Sequence, residues 1–342
     1  MINVAILGGG FMGQTHAGAW SALADRARVV AVSSRSHERA ARAAALCGAE
    51  ATDDLYGPLE RGDVDVADIC LPTPQHREAA ERAFAAGKHV LLEKPIALTL
   101  EDADAIVAAG ERAGKLLVVG LVLRFWPEYV ELRRIAASGE LGRPLAASAL
   151  RLSPPPGWND WMIDPARSGG VCVDLMVHDF DAVSAVLGLP RRVFARALRS
   201  GPHGAAQHCV AVVEHESGEA AAEGGLMQPD SYPFSSNLRV LCEGGVVEYP
   251  FTAAPAADGG NIGGVDQAAN RLRVHPAGGP MRLVEVASAD PWAGQTAAVA
   301  TWLERGEAPT EATGPQATVA LRVALAANRS LESGRVEDVW AI

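Results

Sequence analysis

The sequence predicts an α/β protein in which a doubly wound parallel sheet is followed by a second, mostly antiparallel sheet. Short β-branched runs alternate with helical segments up to about Leu121, and a glycine-rich turn joins the first run to the first helix. The second half reads as a meander of strands separated by glycine turns. At 342 residues the chain exceeds what one core usually supports, which points to about two domains. The change of rhythm divides it into 1–121 and 122–342.

The first strand, Ile2–Leu7, stops at Gly8-Gly9-Gly10-Phe11-Met12-Gly13, and a helical pattern follows from Gln14 to Ala24. Gly8-x-Gly10-x-x-Gly13 has the spacing of a dinucleotide-binding turn. Gly8 permits the tight turn, Gly10 lets backbone reach the pyrophosphate, and Gly13 lets helix and strand pack closely. Phe11 and Met12 stand at the helix start, where unpaired N–H groups face an anion. Such turns also occur for purely structural reasons; the place at the head of a βα series favours the dinucleotide. Further strands fall near Val29–Val32, Val66–Leu71, His89–Leu92 and Leu116–Leu121, so right-handed βαβ crossovers are expected. Thr99-Leu100-Glu101-Asp102 is a capping box, and Gly87 and Gly114 fall where helices should end.

In such a sheet the ligand lies across the carboxyl ends of the strands. After the second strand comes Ser33-Ser34-Arg35-Ser36, where an acidic residue would hold a ribose 2′-hydroxyl; Ser34, 21 positions past Gly13, is there instead. Arg35 can pair with a 2′-phosphate, which favours NADP over NAD, and the alternative is a solvated loop arginine. After the third strand come Leu71, Thr73 and His76, and after the fourth Glu93 and Lys94. A lysine at that edge can exchange a proton with a substrate above the nicotinamide, although a lone Lys-Pro pair reads equally as a surface cation.

Past Arg124-Phe125-Trp126-Pro127 a helix is expected over Glu128–Ser138 and a strand over Leu145–Leu152. The loop from Ser153 to Pro165, rich in proline and tryptophan and containing Trp158, Asn159 and Trp161, is either a wall of a substrate site or an anchored surface loop. After Ser168-Gly169-Gly170 one helix is expected to run to Leu187, with Asp174 and His178 four apart on one face. Histidine changes protonation near neutral pH, which suits a proton relay, while the spacing alone also fits a plain surface contact. Strands are expected at Val193–Arg199, Gln207–Val213, Ala220–Met227, Leu238–Cys242, Val246–Tyr249, Leu272–His275 and Met281–Val286, with two closing helices.

The formal charge of −11, with no basic cluster, makes nucleic acid an unexpected partner. No apolar run would cross a bilayer and no secretory signal opens the chain, so no membrane association and a cytoplasmic location are expected. Five scattered cysteines without a C-x-x-C pair read as reduced thiols, with neither disulfide nor metal.

Taken together these pieces resemble the Gfo/Idh/MocA oxidoreductase family. They are the glycine turn, Thr73-Pro74, the run from Gly87 through Glu93-Lys94-Pro95 to Ala97, Ser138 to Pro144, and Ser168-Gly169-Gly170 followed by Asp174 and His178, with Ser330 and Gly334 in the closing helix. The resemblance implies an N-terminal Rossmann domain and a C-terminal α/β domain with a large open sheet that serves homo-oligomer contacts, as a dimer or tetramer. It implies a sugar, cyclitol or related polyol substrate. Lys94, Asp174 and His178 would be catalytic, with Lys94 polarising the reacting oxygen and His178 as acid/base, and Arg124 would lie near the cofactor. Trp126, Trp158, Asn159 and Trp161 would line the substrate together with the catalytic three. Two other readings stand beside the dehydrogenase: a sensor that binds without turnover, and a glycosidase that uses NAD for transient oxidation.

Overall fold

The computed structural model describes residues 1–155, 164–200, 205–254, 264–266 and 268–341. The chain forms two compact units, Met1–Trp126 with Ala289–Thr318, and Pro127–Ser288 with Val319–Ile342. In chain order the elements begin β1 (Ile2–Leu7), α1 (Phe11–Ser21), β2 (Ala27–Ser33), α2 (His37–Ala45), β3 (Glu50–Thr52), β4 (Val66–Ile69), α3 (His76–Ala85), β5 (His89–Leu92), α4 (Leu100–Ala113) and β6 (Leu117–Val119). Next come α5 (Pro127–Ala137), β7 (Pro144–Leu152), α6 (Pro165–Ser168), α7 (Gly170–Asp174), α8 (Val177–Leu187), β8 (Pro190–Ser200), β9 (Ala205–His215) and β10 (Glu219–Gly225). The chain closes with β11 (Phe234–Cys242), β12 (Gly245–Ala253), β13 (Leu272–Pro276), β14 (Arg282–Val284), α9 (Pro291–Arg305), α10 (Gly314–Ser333) and β15 (Glu337–Asp338).

The first unit is the expected doubly wound sheet, six parallel strands in the order β3-β2-β1-β4-β5-β6. Its central strands β1 and β4 are mostly apolar because helices cover both faces; the polar residues are Asn3 of β1 and Asp68 of β4, and Asp68 is fully buried. The short edge strand β3 escaped the sequence reading, since three residues carry no period. Helix α4 starts and stops as its sequence indicates, with Thr99 accepting from the Asp102 N–H at 3.1 Å and Gly114 in the left-handed region. Linear order put α9 in the second part. It packs instead on α1, where the Thr296 hydroxyl lies 3.5 Å from the Ala19 carbonyl, and Arg26 clasps Glu304 at 2.7 and 3.1 Å.

The second unit holds a nine-stranded sheet, β14-β13-β12-β11-β7-β10-β9-β8-β15, in which only the β7–β10 neighbours run parallel. One face is covered by helices, as where the Tyr129 ring of α5 meets Tyr249 of β12 edge-on at 5.4 Å. Strict alternation along β9 buries Cys209, Ala211 and Val213 and exposes Val210 and Val212. The single helix expected to run to Leu187 is broken. Gly169 and Gly170 both have positive φ (+78° and +76°), and the Met176 N–H reaches back five residues to the Val171 carbonyl at 3.0 Å. That wide turn ends α7 at Asp174, so Asp174 and His178 stand on successive short helices rather than on one face of a continuous one. Among the described residues no helix is long and apolar enough to cross a membrane.

Candidate functional site

In the first unit the parallel register brings four strand ends level. Leu7 pairs with Ser33 on one side and Ile69 on the other, and Ile69 pairs with Leu92. Gly8, Ser34, Cys70 and Glu93 therefore leave the sheet side by side at its carboxyl edge, with the switch of strand order between β1 and β4. Gly8 has φ +117°, and a Cβ there would stand 2.3 Å from the Cys70 carbonyl oxygen; a Cβ on Gly13 would stand 1.8 Å from that of Gly8. No other residue fits these two positions. At Gly10 a Cβ would meet nothing within 4 Å, and Gly10 opens α1 without a side-chain cap or an acidic residue in the first turn. The positive end of the helix dipole thus faces open space with backbone accessible, which is the surface a dinucleotide pyrophosphate requires. Phe11 is exposed there and Met12 half-buried.

One strand over, the Ser34 N–H is tied to the Thr52 carbonyl at 3.1 Å and its hydroxyl accepts from the Ser36 N–H at 3.4 Å. Arg35 is exposed, and Ser36 caps α2.

The loops after β4 and β5 are fastened to each other. His76 is buried, with Nδ1 2.9 Å from the Pro95 carbonyl oxygen and Nε2 2.8 Å from that of Leu71, so both nitrogens face protein; burial pushes its pKa down. Thr73 is buried in the 3-10 turn between them, and Lys94, joined to Pro95 by a cis peptide, is half-buried. The Lys94 N–H donates to Glu93 Oε2 at 3.1 Å.

Behind these loops lies a buried polar cluster. His16 Nδ1 is 2.9 Å from both Asp68 oxygens, and the Trp20 indole N–H donates to Asp68 at 2.7 Å. His16 Nε2 lies 3.2 Å from Glu93 Oε1, an ion-pair contact rather than a well-aligned hydrogen bond. Burial alone would push the His16 imidazole down, but Asp68 and Cys70 carry it well above its ordinary value. Burial pushes the Cys70 thiol up. The donor atoms of His16, Asp68 and Cys70 lie within 4.8 Å of one another, a spacing that could also hold a metal ion. The sequence reading passed over this cluster; its available signal was a histidine on the apolar stripe that carries Ala17 and Trp20.

Arg124, named as a cofactor neighbour, is buried and paired with Glu311 at 2.7 Å. The Trp126 ring packs against Trp292 at the start of α9, centroids 6.4 Å apart.

In the second unit Asp174 is buried at the end of α7 and His178 is half-buried in the first turn of α8. The residue after His178 fixes that turn: Asp179 takes a bidentate bond from Arg151 of β7 at 2.9 and 3.1 Å, both groups buried. The Asn328 amide of α10 donates to the Gly169 carbonyl at 2.9 Å and holds the turn that precedes α7. Trp158, Asn159 and Trp161 lie outside the described residues.

Comparison with known proteins agrees with this architecture. The family description "Oxidoreductase family, NAD-binding Rossmann fold" matches residues 2–121, and "GFO/IDH/MocA C-terminal domain" matches 129–248. Inositol 2-dehydrogenase 2 of Saccharopolyspora erythraea is 35% identical over 189 residues, covering 55% of this chain and 54% of that protein. Inositol 2-dehydrogenase 4 of the same organism is 30% identical over 255 residues, 72% of this chain and 73% of the relative. The chain thus spans 54% and 73% of these two relatives. A solved structure of a putative myo-inositol dehydrogenase from Sinorhizobium meliloti superposes with a TM-score of 0.81 at 25% identity, covering 99% of this chain and all of that one.

Proposed function

Because the chain belongs to the Gfo/Idh/MocA family of NAD-binding Rossmann oxidoreductases, we propose that it is an NAD(P)-dependent dehydrogenase or reductase of a sugar, cyclitol or related polyol. The observation that carries this is the level strand edge, where an uncapped glycine turn after β1 and a lysine on a fastened loop after β5 leave the same sheet with only β4 between them. The nicotinamide, when bound, supplies the hydride acceptor or donor. Lys94 binds and polarises the reacting oxygen. His178 takes the hydroxyl proton in oxidation and returns it in reduction, and Asp174 orients His178. Exposed Arg35, with no carboxylate at Ser34, favours NADP over NAD. The names of the relatives, inositol 2-dehydrogenases, point to a ring carbinol as the substrate group. Exposed Leu198, Val210 and Val212 on the uncovered sheet face suit contact with a second copy of the chain, and five free cysteines suit a reducing cytoplasm.

The test is a panel of sugars and polyols followed at the nicotinamide absorbance with both cofactors. Turnover is expected with at least one polyol, and Lys94→Met should lower it by ~10³-fold while dinucleotide binding stays measurable. Undiminished turnover in Lys94→Met would remove that residue from the chemistry. Sugar release without change in absorbance would identify a glycosidase instead.

A further inference from the structure

We propose that His16 is the positioning residue of the Lys94 loop, tying the oxygen-polarising lysine to the same helix whose N-terminus would face the pyrophosphate. This rests on the reading of Lys94 given above. Three links make the connection. His16 belongs to the second turn of α1 and is wholly buried. Its ring stands between two buried carboxylates, Asp68 at 2.9 Å and Glu93 at 3.2 Å. Glu93 in turn accepts the Lys94 backbone N–H at 3.1 Å.

Glu93 has little freedom of its own. A Cβ on Gly120 would lie 2.6 Å from its Oε1, so the carboxylate is wedged between that glycine and the His16 ring. Asp68 is anchored independently by Trp20 at 2.7 Å. The imidazole thus faces a carboxylate at each nitrogen, hydrogen-bonded to Asp68 and in ion-pair contact with Glu93. Removing it takes away one of the two groups that wedge Glu93, whereas Asp68 keeps its bond from Trp20, so the loss falls on the Glu93 side. A cluster kept for stability alone could be replaced by apolar side chains of similar volume. What this one adds is a fixed separation between the glycine turn and the lysine loop, which hydride and proton transfer from one bound substrate require.

The test is a double-substitution cycle on the full chain with His16→Gln, Glu93→Gln and the pair, read by kcat, KM, dinucleotide dissociation constant, melting temperature and the pH profile of kcat. His16→Gln is expected to lower kcat by ~10- to 100-fold with the dinucleotide constant unchanged. The pair should be no slower than Glu93→Gln alone, because His16 acts through Glu93. Multiplying losses overturn the proposal, as does a His16→Gln effect confined to melting temperature or dinucleotide affinity, or a stoichiometric metal ion lost with His16. If the unsubstituted chain turns over no polyol, the functional reading fails by itself. The positioning role is then read from acylation of Lys94 by acetic anhydride, with Lys115 as internal reference. A changed Lys94 rate in His16→Gln upholds the role, and an unchanged one overturns it.

Discussion

The loops that follow β2 and β5 leave the same sheet edge and are built in opposite ways. After β2, Ser34 is held by its N–H on the Thr52 carbonyl and by the Ser36 N–H on its hydroxyl, and Arg35 stands in solvent. After β5, Glu93 is wedged against Gly120 and His16, Pro95 is bound through His76 to the neighbouring loop, and Lys94 is half-buried. A charge that selects a phosphate acts over several ångströms and tolerates a mobile side chain. A group that holds and polarises a reacting oxygen loses rate with small displacements, so its backbone is fixed from several sides. The glycine turn belongs with the rigid class, since it approaches the Cys70 backbone closely and packs its own helix on its own strand.

The largest effect that would sharpen this contrast is expected at the turn. Gly13→Ala drives a Cβ into the Gly8 carbonyl oxygen at 1.8 Å, and dinucleotide affinity measured by calorimetry should fall by ~10²-fold or more. Retained affinity in a folded Gly13→Ala protein would show that the turn yields. On the compliant side Arg35→Ala should weaken NADP by ~10-fold and leave NAD nearly unchanged, in keeping with one lost charge-assisted contact. Equal losses for both cofactors would break the assignment of that loop to phosphate selection. The smallest effect is a pH dependence of stability. The His16 pKa is raised above 6.5 in the folded chain, so its contribution is fully present below that value and is lost as pH rises through the raised one. Thermal melts from about pH 6 to about pH 9 should therefore show a larger decline in the unsubstituted chain than in His16→Gln. Parallel declines would mean that His16 carries no such linkage.

Legibility in the sequence followed the range of the interaction. The glycine turn, the capped helix at Thr99 and the alternating strands of the second sheet each depend on residues a few positions apart, and each was read from them. The wide turn after Asp174 was missed because the run that follows Gly170 to Leu187 is apolar enough to suggest one helix, and the Met176–Val171 bond that interrupts it leaves no periodic trace. Ser34 and Arg35 were visible as residue types, but their exposure was not. The His16–Asp68 contact joins residues 52 apart, and Arg124–Glu311 joins residues 187 apart.

The amino-acid order alone carried the doubly wound sheet, the dinucleotide turn at its head, and the family resemblance borne by Lys94, Asp174 and His178. That α9 packs on α1, that Arg124 pairs with Glu311, and that His16 stands between two buried carboxylates came only with the folded chain. Local order is set by neighbours along the chain, whereas the partner of a buried charge is chosen by which strand ends arrive beside it once the sheet has closed.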